Sequence, residues 1–451
     1  MDSTAMKAVE MFHKNLAERT DCGPEMVERF LGESGRRGAA YGDKPLGVLL
    51  RPYFISRQRE RMLWHSVRTI GAILEKVIKF YLAEPQVRRM IPLKPEVERL
   101  VQIPSGLNTK IIVSRLDAFH SKDGLKYVEF NADSPAGAAY ADITEELFFE
   151  QGYLYPMMKQ FRLRRTYRIE LLVRALLSAY RDFGLGEAPR VVITDWEGVN
   201  TASEFGVIQN FLERCGVPAV IADPRKLDWK DGRLYADGVP VNMVYRRVIL
   251  RELLQKQEEC RGLIRAAEEG NTCIVNPFCT VIPGTKDVCH FVYSPEFRKV
   301  ISNEEFETIQ SFIPWTCHVG PEKVEFEGHS WYPVDLALEK RDQFVLKPAG
   351  GYGGVGVYVG NETPQDVWEK ALEDVGEESW VLQQYTSIPE EPFPVFSPDI
   401  TIEKRKVNLN PFMLGGEYAS AIARLSTAAV INVSAGGGMV PVIPVEEKEE
   451  S

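Results

Sequence analysis

Two short apolar runs each carry a pair of polar side chains two residues apart. The four residues are Arg115 and Asp117 in the run 109–119, and Glu129 and Asn131 in the run 127–131. Successive side chains of a strand point to opposite faces, so the members of each pair share one face. The Ser-Lys-Asp-Gly segment between the runs is typical of a hairpin turn. We therefore predict a hairpin that brings the two pairs close together.

This arrangement has the chemistry of a magnesium site. Mg²⁺ prefers hard oxygen ligands and binds one or two carboxylates together with substrate phosphates, so we assign it to Asp117, Glu129 and Asn131. Arg115 beside them is a planar donor suited to a phosphoryl group or a carboxylate. An exposed hairpin with hydrated charges would show the same pattern, and the spacing alone does not separate these interpretations.

A glycine-rich segment forms the second candidate site. Lys347 follows the apolar run FVL, and five glycines then fall within residues 350–356. Glycine allows positive φ and a close approach of the ligand, and successive backbone N–H groups can enclose an anion. The lysine adds a full positive charge at the entrance of the loop. We predict a polyphosphate site formed by Lys347, Gly350, Gly351, Tyr352, Gly353 and Gly354.

The same glycines allow a different interpretation. Gly351, Gly353 and Gly356 fit the dinucleotide-binding pattern G-x-G-x-x-G, which requires a helix after the loop. Here residues 357–359 are Val-Tyr-Val and predict a second strand. A hairpin that covers phosphates is therefore favoured over a Rossmann turn, with a nicotinamide oxidoreductase as a rival function. A surface hairpin without a ligand is the third interpretation.

The composition sets limits on function. The chain has 451 residues, of which 44% are hydrophobic and 26% charged, an ordinary globular mixture. A net charge of −10 disfavours a nucleic-acid partner, and we expect no membrane span and no signal peptide. Seven cysteines without a C-x-x-C pair favour free thiols in a reducing compartment. The expected location is cytoplasmic.

The remaining sequence predicts a mixed α+β and α/β protein. Residues 1–104 show helical periodicity, with a strand at 46–53, and residues 251–269 predict one further helix. Residues 188–248 read as a small strand–helix–strand unit, and the ends of its strands are the usual place for a ligand. An anionic substrate or a hydrated strand end would each explain the charges there. The residues assigned to the substrate in this unit are Glu197, Thr201 and Arg246.

The two motifs together resemble the glutathionylspermidine synthetase family. The resemblance rests on Arg115-x-Asp117, on Glu129-x-Asn131-Ala-Asp-Ser-Pro and on Lys347-Pro-x-x-Gly, and it covers about residues 105–440. That family is a circularly permuted branch of the ATP-grasp ligases, and the permutation places the metal carboxylates before the glycine loop. The chain has the same order. It lacks the amidase-like module of the bifunctional members, which leaves the acid and amine substrates open.

The resemblance implies a cofactor set and further site residues. The expected cofactors are ATP and two Mg²⁺ ions. Lys286 resembles a second phosphate-binding lysine, and Arg424 a phosphate-binding arginine that would act with Arg115. The strand at 380–385 resembles the hinge that binds adenine. The residues assigned through it are Gln383, Gln384 and Tyr385, and Ser134 of the metal motif is assigned to the substrate.

We therefore predict an ATP-dependent carboxylate–amine ligase, which forms an amide through an acyl phosphate and releases ADP and phosphate. The alternative is a catalytically inactive nucleotide-binding or scaffold protein. The expected partners are a small carboxylic acid and an amine, and the residues do not specify the oligomeric state. The expected organisation is a helical region (1–104), the metal-binding part of a permuted ATP-grasp core (105–187), a substrate domain (188–270), a subdomain with Lys286 (271–342), the glycine-loop lid (343–390) and a C-terminal return to the core (391–451).

Overall fold

The structure is a computed structural model. It describes residues 2–19, 23–42, 44–46, 49–351, 354–376, 379–396, 399–428, 431 and 438–449. The α-helices are α1 Ser3–Glu18, α2 Pro24–Arg36, α3 Arg57–Ala83, α4 Pro85–Met90, α5 Pro95–Val101, α6 Ala138–Glu150, α7 Arg168–Phe183, α8 Ala202–Arg214, α9 Leu250–Gln255, α10 Arg261–Glu269, α11 Val281–Gly284, α12 Asp287–Phe291, α13 Pro295–Arg298, α14 Asn303–Phe312, α15 Pro333–Glu339 and α16 Gln365–Glu373.

The strands occur along the whole chain. They are β1 Ala40–Tyr41, β2 Lys44–Pro45, β3 Tyr53–Ser56, β4 Val113–Ser121, β5 Gly124–Asn131, β6 Phe161–Leu163, β7 Val191–Thr194, β8 Ala219–Ala222, β9 Leu227–Lys230, β10 Arg233–Ala236, β11 Val239–Val241, β12 Met243–Arg246, β13 Cys273–Val275, β14 Thr316–His318, β15 Val324–Phe326, β16 His329–Trp331, β17 Phe344–Pro348, β18 Tyr358–Val359, β19 Trp380–Gln384, β20 Glu390–Phe396, β21 Ile400–Leu414, β22 Glu417–Ser426 and β23 Gly438–Glu447.

The largest sheet joins strands that are far apart in the sequence. Its order is β3-β23-β22-β21-β4-β5, with β20 paired to β21 and β6 paired to β23. All of these pairs are antiparallel except β3 and β23. The hairpin of the first half of the chain therefore lies directly beside the C-terminal strands.

Helices cover both faces of this sheet. The buried stripe of α3, which includes Val67, Ile70 and Leu74, packs with sheet residues such as Leu409 and Val440 in one core. Helices α6 and α7 pack with the opposite face in a second core. Ser56 caps α3 by accepting a hydrogen bond from the backbone N–H of residue 59, which fixes where the helix leaves β3.

Two smaller sheets flank the central one. The parallel sheet β13-β12-β7-β8, with α8 as its first crossover helix, contains the α/β unit predicted at 188–248, and β13 extends it beyond those bounds. The antiparallel sheet β14-β19-β17-β18 has its own apolar core, which includes Phe344, Leu346, Trp368 and Leu382. This second sheet carries the glycine-rich segment at one edge.

Two local predictions were wrong. The strand expected at 46–53 begins only at Tyr53, because Pro52 has no N–H for a strand ladder; of the earlier residues described, Leu49 forms an isolated bridge to Val395. The helix expected at 251–269 is divided into α9 and α10. Among the residues that the structure describes, no helix has the length and apolarity needed to cross a bilayer.

A buried ion cluster joins α6 and α7. The guanidinium of Arg168 lies 3.0 Å from a carboxylate oxygen of Asp142 and 2.7 Å from one of Glu145. Burial raises the pKa of both carboxyl groups, and Arg168 opposes that shift. Arg168 also donates hydrogen bonds to carbonyls of the central sheet, so this cluster fixes the helical layer to the sheet.

We expect Arg168→Met to reduce the free energy of unfolding by about 3–5 kcal/mol, because it leaves two buried carboxylates uncompensated. The loss should grow as the pH rises above about 4, the ordinary pKa of these groups in the unfolded chain, because the folded carboxyls then hold protons that the unfolded chain releases. Urea denaturation at several pH values measures this. Arg174→Met on the same helix, where the arginine forms an exposed pair with Glu170, is the control and should cost about 0.5 kcal/mol or less; equal losses would contradict the assignment.

Candidate functional site

The predicted hairpin is confirmed and brings the two polar pairs together. Strands β4 and β5 are antiparallel, with Arg115 opposite Asn131 and Asp117 opposite Glu129. Directly opposite residues of an antiparallel pair share a face. The amide Nδ2 of Asn131 donates a hydrogen bond of 3.1 Å to Oδ1 of Asp117.

A β-bulge is responsible for this register. Near the turn the ladder pairs Ala118 with Tyr127, but the next pair is Asp117 with Glu129, so Val128 has no partner across the hairpin. Without this extra residue Asp117 would lie opposite Val128, and Glu129 would point to the other face. The bulge therefore places both carboxylates on the same side.

Side chains from the C-terminal strands complete the surroundings of Asp117. Asn410 of β21 donates a hydrogen bond of 2.9 Å to Oδ1 of Asp117, and Arg424 of β22 donates one to Oδ2. Arg424 is also bonded to Asn408. Neither asparagine is among the site residues predicted from the sequence. The sequence feature that could have identified them is the presence of two Asn residues at alternate positions near the end of an otherwise apolar strand.

Two lysines approach this group of polar side chains. Lys347 lies on β17, and Lys286 lies at the N-terminal end of α12. Lys286, at the N-terminal end of α12, donates a hydrogen bond of 2.5 Å from Nζ to the carbonyl of Gly351, and its Nζ lies 3.6 Å from Oε1 of Glu129. Lys347 of β17 donates a hydrogen bond of 2.7 Å to Oε1 of Gln383 on the neighbouring strand β19. Both lysines are buried.

The glycine-rich segment connects two strands. Strands β17 and β18 are antiparallel, with Val345 opposite Val359, whereas a Rossmann turn requires a helix after the glycines. The predicted strand–loop–strand structure is therefore confirmed, and the nicotinamide alternative loses its structural basis. Tyr352 and Gly353 lie outside the described residues.

These elements enclose one cavity of about 750 Å³. It contains most of the residues that the sequence analysis selected from segments far apart in the chain. The predicted residues in its wall are Arg115, Asp117, Glu129, Asn131, Ser134, Lys286, Lys347, Gly350, Gly351, Gly354, Gln383, Gln384, Tyr385 and Arg424.

The cavity has a surplus of positive charge. Its basic side chains are Lys94, Arg115, Arg251, Lys286, Lys347 and Arg424, and its acidic side chains are Asp117, Glu129, Asp133 and Asp287. Burial lowers the pKa of Lys347 to about 8; Glu129 opposes this shift and Lys286 adds to it. Burial and the nearby Arg424 lower the pKa of Arg115 to about 10. Buried cations in such a cluster favour a ligand with several negative charges.

The residues assigned to Mg²⁺ fit that ion. Within the described residues no group of three or more His, Cys, Asp or Glu side chains could hold a metal, so a site here takes Asn131 and ligand phosphates in addition to two carboxylates, as Mg²⁺ commonly does. A carboxylate has about four lone-pair positions. Asn131, Asn410 and Arg424 occupy three on Asp117, which leaves room for a metal bond.

The substrate residues predicted in the α/β unit lie outside the wall of the cavity. Arg246 is buried and bonds to the carbonyls of Asn276 and Val248, at 3.0 and 2.7 Å, and to Asp133 at 2.6 Å. Glu197 is exposed, and Thr201 precedes α8. They do lie near the carboxyl ends of parallel strands, as predicted. Arg246, however, connects this unit to the loop after β5.

The predicted hinge strand has few free backbone donors. The N–H groups of Gln384 and Tyr385 donate to the carbonyls of Trp315 and Gln343, at 2.8 and 2.7 Å, and the side chain of Gln383 holds Lys347. The N–H of Thr386, which also lies in the cavity wall, has no partner among the described residues. It is the first backbone N–H after β19 that could donate a hydrogen bond to an adenine base.

No protein-family model matches the chain. Among curated proteins, it is 23% identical over 357 residues to uncharacterized proteins of Mycobacterium bovis and Mycobacterium tuberculosis. These matches cover 74% of this chain and 60% of each relative. The chain thus spans less than two thirds of the length of these relatives.

The likeness to solved structures concerns the fold. A glutathione synthetase-like effector from Globodera pallida, solved in its apo form, matches with a TM-score of 0.60 and 12% identity, over 93% of this chain and 96% of that one. The two chains share one overall fold, a mixed α/β architecture. A putative gamma-glutamylcysteine synthetase from Methylobacillus flagellatus matches over 85% and 86% at 12% identity, with a TM-score of only 0.42.

The low pKa of Lys347 predicts that the affinity of the cavity for a polyphosphate depends on pH, and ATP is the probe for this. A neutral amine attracts phosphate less than an ammonium, whereas the phosphates of ATP are already ionised above about pH 7. The affinity measured by calorimetry should therefore be constant up to the lysine pKa of about 8 and fall above it. Lys347→Met should bind more weakly and lose this dependence.

The control is Lys340→Met, which removes a lysine that pairs with Glu327 outside the cavity. It should keep both the affinity and the pH profile of the unmodified protein. A flat profile for the unmodified protein from about pH 7 to 9.5, a range around a lysine pKa near 8, would show that Lys347 does not contact the nucleotide phosphates.

Proposed function

We propose that the protein is an ATP-dependent carboxylate–amine ligase, which forms an amide through an acyl phosphate and releases ADP and phosphate. One observation carries this proposal. The wall of one cavity, beside a glycine-rich hairpin, contains two carboxylates together with the cations Arg115, Arg424, Lys286 and Lys347. The positive surplus matches a polyphosphate. The shared ATP-grasp-like fold supports the same reaction class.

Each charged residue has a role in this proposal. Lys286 and Lys347 bind the phosphates of ATP, and the glycine hairpin covers them. Arg115 and Arg424 stabilise the phosphoryl group as it is transferred. Asp117, Glu129 and Asn131 would hold Mg²⁺, as two ions in the full complex; bound Mg²⁺ would neutralise phosphate charge.

The reaction has two displacements. A carboxylate oxygen of the acid attacks the γ-phosphorus of ATP; the new O–P bond forms as the bond to the β–γ bridging oxygen breaks, and ADP leaves. The amine nitrogen then attacks the acyl carbon, the C–N bond forms, and phosphate leaves with the C–O bond broken and a proton lost from nitrogen. The cationic side chains act by positioning and by balancing charge.

We also infer the circular permutation from the order of the elements. The hairpin β4–β5, which carries the carboxylates, precedes the hairpin β17–β18 in the sequence, although both contribute to one cavity. This order supports the glutathionylspermidine synthetase-like assignment. The acid and amine would approach from the side of Ser134 and Arg251, in the cavity wall beside the α/β unit.

An inactive nucleotide-binding protein is the alternative. The geometry favours an active enzyme, because Arg115 and Arg424 contact Asp117 and Lys286 contacts Glu129, across three separate parts of the chain. A binding protein needs the lysines but has no requirement for Arg115 and Arg424 beside Asp117.

We expect the protein to release ADP when ATP and Mg²⁺ are supplied with a matching pair of a carboxylic acid and an amine. A coupled assay over a panel of acids and amines measures this, with each acid and each amine omitted in turn. ATP hydrolysis that is independent of both would contradict the ligase proposal, and ATP binding without release for any pair would favour the inactive alternative.

Glu129→Gln should reduce turnover by about 10²–10³-fold, as expected for loss of transition-state charge neutralisation, and should weaken ATP binding much less. Gln keeps the shape but removes the charge that holds the metal, while both lysines stay in place. ADP release as a function of Mg²⁺ concentration measures the effect. Glu170→Gln, on the exposed face of α7, is the control, and wild-type rates for Glu129→Gln would overturn the metal assignment.

A further inference from the structure

Two buried asparagines fix the guanidinium of Arg424. Asn408 and Asn410 lie on β21, opposite β22, and both are nearly inaccessible to solvent. Nε of Arg424 donates to Oδ1 of Asn408 and of Asn410 at 3.1 and 3.0 Å, and Nη2 donates to Oδ1 of Asn408 at 2.7 Å. A long side chain with several free rotamers is thus held in one orientation.

The orientation of both amides is itself determined by hydrogen bonds. Nδ2 of Asn410 donates to Oδ1 of Asp117 at 2.9 Å and to Oδ1 of Asn408 at 2.7 Å. Nδ2 of Asn408 donates to the carbonyl of Ala118 at 3.1 Å. Each amide oxygen therefore faces Arg424. Asn410 contacts both the carboxylate and the arginine, because its two amide atoms serve different partners.

This network determines which part of Arg424 is available to a ligand. Nε and Nη2 are engaged by the asparagines and by Asp117, whereas Nη1 has no hydrogen-bond partner among the described residues. Arg424 lies in the wall of the cavity. Arginine otherwise prefers a two-pronged contact with a carboxylate, which would neutralise Asp117 and withdraw the cation from the cavity.

We propose that Asn408 and Asn410 are positioning residues, which limit Arg424 to a single contact with Asp117 and hold it with Nη1 free for the transferring phosphoryl group. The inference rests on the proposed ligase function and deepens it. Arginine at this place supplies the charge, and the two asparagines determine its direction. They act through Arg424: Asn410 lies outside the cavity wall, and Asn408, which lies in the wall, directs its amide oxygen to the arginine.

A double-mutant cycle tests this dependence. Asn410→Ala should lower kcat by about tenfold with little change in the KM for ATP, and Arg424→Ala by about 10²-fold or more. If the asparagine acts through the arginine, Asn410→Ala should lower kcat less than about twofold when it is added to Arg424→Ala. Asn408→Ala, which leaves the contact to Asp117 in place, should behave in the same way and serves as the second variant where Asn410→Ala does not fold.

The matched control is Asn242→Ala. Asn242 is also a buried asparagine, with hydrogen bonds to the backbone of Arg190 and Ala188 at 2.7 and 2.9 Å, outside the cavity wall. It should lower the melting temperature and leave kcat unchanged. The rates are measured with the acid–amine pair that supports ADP release, and circular dichroism checks the fold of each variant.

The outcomes separate the two proposals. An active unmodified protein in which the effects of Asn410→Ala and Arg424→Ala simply multiply overturns the positioning role and leaves the ligase function intact. An unmodified protein that releases no ADP with any acid–amine pair overturns the ligase function, and this inference with it. A loss of kcat in Asn408→Ala or Asn410→Ala that disappears in the Arg424→Ala background supports the inference.

Discussion

The site depends on a single buried carboxylate that several strands share. Asp117 lies on β4 between the partner strand of its hairpin and the long C-terminal strand β21, and it receives hydrogen bonds from both sides. A buried carboxylate is costly unless it is paired and fully hydrogen-bonded. Partners that satisfy this carboxylate come from the C-terminal strands, which carry Arg424 and the asparagines of β21. The contacts of Asp117 therefore connect the hairpin β4–β5 to the C-terminal part of the chain.

The second constraint is an excess of buried positive charge. Lys286 and Lys347 are removed from water, and their closest hydrogen-bond partners are the neutral oxygens of Gly351 and Gln383. Neutral oxygens compensate an ammonium only in part, and burial lowers the pKa of Lys347. A polyphosphate would replace these contacts with stronger ones. The bond from Lys286 to the loop carbonyl also means that ligand binding and the position of the glycine hairpin are physically coupled.

Other buried arginines hold the surrounding units in place. Arg168 joins two helices to the central sheet, and Arg246 joins the α/β unit to the loop that follows the metal-binding hairpin. Arg247 pairs with Glu204, whose other oxygen accepts the backbone N–H groups of Gly137 and Ala139 at the start of α6. Charged residues at these positions serve the architecture, although in sequence they look the same as residues of a binding site.

The sequence by itself determined the local features. Alternation and a short turn were sufficient to predict the hairpin with Arg115, Asp117, Glu129 and Asn131, because strand pairing across a tight turn depends on neighbouring residues. The glycines and Lys347 likewise predicted a hairpin beside a charged cavity. The family resemblance added Lys286 and Arg424, which no local pattern distinguishes from other basic residues.

Only the tertiary structure decided the remaining features, because they depend on contacts between residues far apart in the chain. The bulge at Val128, which puts Glu129 on the face of Asp117, adds one unpaired residue that alternation cannot show. Asn408 became part of the site because β21 pairs with β4, nearly 300 residues earlier. Arg246, which the sequence assigns to the substrate, is buried and pairs with Asp133; whether a charge faces a ligand or a neighbouring element is set by packing.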